Sequence, residues 1–351
     1  MSTRLTIAYV IDPRFSGGTS SAVAAELAIS VRFAKVSVHA VSSAMFKGEI
    51  ASPQIQKSLN EHHLELIWDQ ETISADVVVV HNPSFLKTNR TLNISIVCKH
   101  LIVVAHENFH RPGGKESFDV SHCLGLLDRA TLSLRKSIAP ISPYNRLTIS
   151  NWLSLHAQHR NWSVFQQDWF NICDFQTIPP VEFPNDRRGR HSRPGHEKFP
   201  SIQDMELLFP KQAVANVILG GEVFLQSRLN KPHWQVYPFN GINLREYFEM
   251  FDFMVYFTAS TLRESFGRVL AESIAAGKVV ISDPDTASIF DGAVIACTPA
   301  DVDQIINDFV CHPAKYRKHV EQAQLKLEEF SSAAFQKKVL SKLEQNFGIS
   351  G

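Results

Sequence analysis

Short apolar, β-branched runs alternate along the chain with longer stretches whose apolar positions recur at three and four residues. That order is expected of parallel strands joined by crossover helices. In the first half it predicts strands at 5–11, 36–41, 77–80, 101–105 and 137–141. These runs lack clean apolar–polar alternation, so they should be buried on both faces. Between the first two, residues 20–33 carry apolar positions at helical spacing behind a glycine pair, with Thr19 as the expected N-cap.

The segment 179–200 is dense in Pro, Gly, Arg and His and is expected to separate two sets of elements. Beyond it the pattern predicts strands at 213–219, 234–237, 253–257, 278–282 and 293–297, and helices at 243–250, 267–276, 302–310 and 314–329. The expectation is two α/β domains, 1–182 and 183–332, followed by a terminal helix over 333–351 that can pack back on the first. Ligands of open parallel sheets collect at the carboxyl ends of strands, where helix N-termini present amides. Candidate chemistry is therefore sought in those loops.

Composition narrows the function classes. With 35 Lys+Arg against 35 Asp+Glu, the formal charge is zero, and the chain lacks the overall basic signature of a nucleic-acid binder. Its 351 residues exceed one core of ordinary size. Cys98, Cys123, Cys173, Cys297 and Cys311 are far apart and form no C-x-x-C, which suggests neither disulfides nor a zinc knuckle and suits a reducing, cytoplasmic setting. No 18-residue apolar run is present to span a bilayer, and the run at 5–11 is too short for a signal peptide.

Four constellations stand in the expected loops. The most informative runs from Arg263 to Gly277, with Glu264 before a helix that closes at Gly277 and Glu272 more than one turn inside it. Amides of Phe266, Gly267 and Arg268 would then suit an anionic or hydroxyl-rich ligand, and the two acids could bracket vicinal hydroxyls. The plain alternative is a solvated helix with surface glutamates.

The second constellation is the stretch 189–200, where Lys198 with Arg190 or Arg193 could grip a diphosphate; otherwise it is a solvated linker. Third, the loop 12–19 holds Gly17 and Gly18 before a helix but no G-x-G-x-x-G, so it is a close approach to phosphate or an ordinary turn. Fourth, His81 and His106 each follow a predicted strand.

No Cys/His cluster or suitably placed Asp-x-Asp points to a metal. Asp301-Val302-Asp303 is read as a helix N-terminus. The aromatics Trp152, Trp162, Phe165 and Trp169 either form core or touch a lipid-linked acceptor at a membrane surface.

Glu264-Ser265-Phe266-Gly267, with Glu272 and the Ala275-Ala276-Gly277 that follows, resembles the E-x7-E motif of retaining GT-B glycosyltransferases of the large family four. The resemblance implies two Rossmann-like domains facing across a cleft, the second holding the sugar-nucleotide donor. It implies that Glu264 contacts hydroxyls of the donor sugar beside the amides of Phe266 and Gly267, and that Glu272 holds the ribose. Ser265 stands where the family most often has Gly, and Arg268 completes the donor-binding stretch.

By the same resemblance, Lys198 and an arginine neutralise the diphosphate, with Arg193 favoured over Arg190. Gly17 and Gly18 reach toward the phosphates. Ala105-His106-Glu107 resembles the family's His-Asp or His-Glu, placing His106 near the reacting centre, with His81-Asn82 the weaker match. Ser282-Asp283-Pro284-Asp285 departs from the usual Gly-Gly turn.

The implied activity is metal-independent, retaining transfer from a nucleoside-diphosphate sugar, UDP favoured, with no cofactor. Glu264, His106, Lys198 and Arg193 form the implied catalytic set. The acceptor would be a glycan or lipid-linked sugar of bacterial surface polysaccharide, reached at the inner face of the membrane. Rival readings are a sugar-nucleotide epimerase, which needs acid–base groups on both sugar faces, and a non-catalytic accessory subunit.

Overall fold

A computed structural model describes residues 4–15, 17–227 and 229–346. They form two compact units: the chain up to Ile172 together with the segment from Phe330, and Cys173–Glu329.

The first unit holds β1 (Thr6–Ile11), β2 (Lys35–Ala40), β3 (Leu66–Trp68), β4 (Thr72–His81), β5 (Ser95–Ala105), β6 (Thr131–Pro140) and β7 (Ser163–Val164). They pair in parallel in the order β3-β2-β1-β4-β5-β6-β7. β4, β5 and β6 begin earlier than the apolar runs predict, because their first halves bury few residues or only alternate ones. The helix Gly18–Phe33 is capped by Gly17 at φ 119°, a conformation glycine tolerates, and Thr19 lies in its first turn rather than at the cap.

Helices Val120–Ala130 and Pro143–Leu155 arise where no helix is predicted; their N-caps, Asp119 and Ser142, accept from His122 and Asn145 amides. Trp152, Trp162, Phe165 and Trp169 are all buried, so these aromatics are core and offer no face to a membrane. The C-terminal segment packs on this unit edge to face, Phe335 against Trp169 and Phe170, and Phe330 against Phe170. The predicted 333–351 helix is observed as consecutive turns from Ser332 to Asn346; its last residues, 347–351, lie outside those described.

The second unit holds β8 (Arg187–His191), β9 (Ala215–Leu219), β10 (Gln235–Tyr237), β11 (Phe253–Tyr256), β12 (Val279–Ser282) and β13 (Val294–Ala296), in parallel order β10-β9-β8-β11-β12-β13. β8 lies inside the stretch expected to be a linker. Its charge is neutralised in place: buried Arg188 bonds Asp186 in bidentate fashion and reaches Asp303 at 2.7 Å. A Cβ at Gly189 would sit 2.3 Å from the Phe251 ring, so glycine permits that packing.

Residues 173–182 belong to this unit because the Ile178 amide donates to the Ala275 carbonyl and Gln324 Nε2 to the Ile178 carbonyl. Gly277 follows that contact at φ +76°, and a Cβ there would lie 2.6 Å from the Ile178 carbonyl. Gly277→Ala should therefore destabilise the protein by about 1–3 kcal/mol, seen as a lower urea midpoint at unchanged slope. No helix among the described residues is long and apolar enough to cross a membrane.

Candidate active site

In each sheet the strand order reverses direction at one place, between β1 and β4 in the first and between β8 and β11 in the second. Loops leaving the two strands part there, opening a crevice at the carboxyl ends. Both crevices hold the polar side chains singled out from the sequence.

At the second switch point, Glu264 stands in the loop after β11. Its Oε1 accepts from Lys198 Nζ at 2.6 Å and from the Tyr256 hydroxyl at 2.6 Å. Lys198 ends a single helical turn, His196–Lys198, and the loops are joined by the Ala259 amide donating to the Glu197 carbonyl. Burial pushes the Glu264 carboxyl up, but the Lys198 charge, both hydrogen bonds and the Arg193 charge outweigh it and hold the acid below its usual range. Burial and the Glu264 charge push the Tyr256 phenol up, so it stays a donor.

Beneath this pair lies Arg190, fully buried, its guanidinium 4.6 Å from the Phe199 ring centroid and 4.5 Å from that of Tyr256. One Nη donates to the Lys198 carbonyl; Nε and Nη1 have no hydrogen-bond acceptor. Burial pulls its pKa down. Beside it, His191 Nδ1, Ser192 Oγ and the Tyr247 hydroxyl are buried without hydrogen-bond partners. Burial and Arg190 pull His191 to about 4, so it is neutral at pH 7.

Gly267 caps the helix Arg268–Ala275 at φ 79°, and buried Phe266 anchors the turn edge-on against Phe290. A glycine cap brings no side-chain acceptor to the first turn. Glu272, inside the helix, pairs with Arg268 Nε at 3.0 Å; burial raises its pKa and Arg268 opposes the rise. Arg263 bridges to Asp283 at 3.2 Å and Asp285 at 3.0 Å, so the segment that departs from a Gly-Gly turn ties the loop after β12 to that after β11.

No family model matches the chain, and no curated protein matches it in sequence. Solved structures do match. HepE of Anabaena, solved with UDP and glucose, is 14% identical with a TM-score of 0.67, covering 97% of this chain and 100% of that one. Sucrose-phosphate synthase of Thermosynechococcus elongatus is 12% identical with a TM-score of 0.60, covering 99% and 100%. The pneumococcal O-GlcNAc transferase GtfA, solved with UDP and GlcNAc, is 10% identical with a TM-score of 0.62, covering 97% and 99%. The chain has the GT-B fold.

The other switch point of this GT-B chain lies in the first unit. A small pocket there is lined by Asp12, Pro13, Phe15, Thr19, Ser20, His81 and Asn82 among others. Arg14 is bound into the loop by a bidentate bond to buried Asp12 and by the Phe46 and Ser43 carbonyls, which leaves Gly17 and Gly18 at the helix start. A Cβ at Gly18 would meet nothing within 4 Å. His81 Nδ1 lies 2.9 Å from His106 Nε2, so the two strand-end histidines form one hydrogen-bonded pair.

The structure thus gathers Lys198, Arg190, Glu264 and the Ser265-to-Arg268 turn at one switch point, with Arg193 exposed and close enough to act on Glu264 by charge. It gathers Gly17, Gly18, His81 and His106 at or beside the other. Sequence reasoning missed Tyr256, hidden in the apolar run FMVY, and the core position of Arg190. Among the described residues no three His, Cys, Asp or Glu side chains converge to hold a metal.

Proposed function

We propose that the protein is a retaining, metal-independent glycosyltransferase that uses a nucleoside-diphosphate sugar. The observation that carries this is Glu264, kept ionised by Lys198 and Tyr256 at the switch point of the second sheet, with Glu272 on the helix that starts there. An ionised acid there is an acceptor for sugar hydroxyls, and Lys198 is a cation for a diphosphate. Structures of this fold solved with UDP and a sugar support the same donor class, UDP favoured.

In the proposed reaction the bond between the anomeric carbon and the diphosphate oxygen breaks. The acceptor hydroxyl bonds that carbon on the face the diphosphate leaves, and its proton passes to the departing diphosphate. Lys198, Arg193, Arg190 and the amides at Gly17 and Gly18 stabilise the charge gained by the leaving group, an interaction that strengthens toward the transition state. Glu264 and His106 orient the sugar. The acceptor in this proposal is a glycan or lipid-linked sugar of surface polysaccharide, with no residue of the first unit assigned to it.

The test is calorimetric titration with UDP, GDP, ADP and dTDP and their sugars, without added metal. One nucleotide should bind, and Glu272→Ala should weaken it about tenfold, or ~1.4 kcal/mol. No binding by any nucleotide would sink the donor assignment. Product analysis without acceptor separates transfer from epimerisation.

A further inference from the structure

Behind the histidine pair of the first unit lies a buried chain of donors converging on one carboxylate. Glu26, 2% exposed, accepts from the Tyr9 hydroxyl at 2.9 Å on Oε1 and from Trp169 Nε1 at 2.8 Å on Oε2. His81 Nε2 lies 3.4 Å from that same Oε2, within ion-pair range but without a formed hydrogen bond, and the two side chains are 1% and 3% exposed. Tyr9 also bonds Ser30 at 2.7 Å, and burial with the Glu26 charge keeps its phenol protonated. These groups come from β1, the helix Gly18–Phe33, the end of β4 and the segment after β7. None of them belongs to the proposed donor grip of the second unit.

The chemistry of the chain has one consistent state. A carboxylate only accepts, and an indole N–H only donates. A lone pair on His81 Nε2 would face a negative oxygen in a buried place, so the proton belongs on Nε2. In neutral His81, Nδ1 is then an acceptor, and the 2.9 Å contact requires His106 Nε2 to donate to it. His106 Nδ1, which has no hydrogen-bond partner among the described residues, is left as a lone pair. Burial and His81 together pull the His106 pKa well down, in keeping with a neutral ring.

We propose that Glu26 is a positioning residue that, through His81, fixes His106 as a neutral ring presenting Nδ1 as a hydrogen-bond acceptor to a donor-sugar hydroxyl. The functional half rests on the reading that His106 meets the donor sugar. Glu26→Met removes the negative oxygen that His81 Nε2 faces; Glu26→Gln would not, because Trp169 Nε1 can only donate and so keeps the amide oxygen at the Oε2 position. Without that oxygen nothing holds the His81 proton on Nε2, and the fixed tautomer of His106 is lost with it.

The experiment is a long-range proton–nitrogen correlation spectrum of the full chain at pH 7, with His106→Asn used to assign the ring. Wild type should show Nε2–H for both rings, and Glu26→Met should show a mixture of Nε2–H and Nδ1–H forms. In that variant turnover of the nucleotide sugar should fall at least tenfold with nucleotide affinity unchanged, a split that plain loss of stability would not produce. A wild-type His106 that is charged or carries its proton on Nδ1 overturns the proposal, and this result needs no variant to fold. Unchanged tautomers in a folded Glu26→Met overturn it too. Failure of the donor reading looks different: wild type binds no nucleotide sugar while the tautomers are as expected, and only the functional half then falls.

Discussion

Lys198→Ala should lower sugar transfer by about 10²–10³-fold, because it removes a cation that faces charge developing on the leaving diphosphate. The same change strips Glu264 of its principal counter-charge. The pair is mostly shielded, at 17% and 14% side-chain exposure, so breaking it should also destabilise the free protein by about 1–3 kcal/mol. The two effects separate by pH.

In wild type the Glu264 carboxyl is held below its usual range, so its contribution is present above the unfolded value of about 4.3 and is lost as pH falls through the lower folded value. In the variant burial dominates, and the folded value rises above the unfolded one. Its stability then declines as pH rises through that value. The gap between the melting temperatures of the two proteins should be widest at neutral pH and narrow toward pH 4. A constant gap would mean that Glu264 does not respond to Lys198, and unchanged transfer would remove Lys198 from the mechanism.

Much of this arrangement is legible in the chain, and the parts that are not have physical causes. Strands β9, β11 and β12 stand out because they are short, apolar and almost wholly buried, which makes hydropathy a sufficient signal; β10 and β13, at the two edges of the sheet, are only partly buried and are read from their apolar residues alone. β8 does not stand out, since Arg187, Arg188 and Arg190 look like solvent-facing charge until Asp186 and Asp303 are seen to neutralise Arg188 and two aromatic rings to enclose Arg190. Asp303 illustrates the limit: its helix N-terminus is readable locally, whereas its partner lies 115 residues away.

The loop chemistry is readable where the residues themselves act. Glu264, Lys198 and His106 carry charge or a titratable ring and sit at strand ends, so spacing and resemblance find them. Tyr256 and Glu26 act from inside regular elements whose pattern is core, and nothing in the linear order marks a buried hydroxyl or acid as a partner. The same applies to Trp152 and Trp169: their indoles bond Glu116 and Glu26, and both rings are filling the core.

The choice between Arg190 and Arg193 is where the free protein itself supplies an argument. Arg193 is exposed and costs little to keep. Arg190 is buried with no carboxylate partner and with Nε and Nη1 unbonded, an arrangement that costs several kcal/mol in desolvation and is offset in part by about 2 kcal/mol from each enclosing ring. Such an imbalance is relieved by an anion.

In the proposed donor complex, a sugar on Glu264 and a phosphate on Lys198 would bring acceptors within reach of the unbonded nitrogens of Arg190. Arg190→Met should therefore fold and melt within about 1 kcal/mol of wild type, since an apolar side chain of similar length replaces an under-paired ion. Nucleotide affinity should fall by about tenfold to a hundredfold, or ~1.4–2.7 kcal/mol. Arg193→Met should leave melting unchanged and weaken binding less. Intact affinity in Arg190→Met with strong loss in Arg193→Met would reverse the assignment, and a variant of Arg190 that fails to fold would make the guanidinium a structural group held by its two rings.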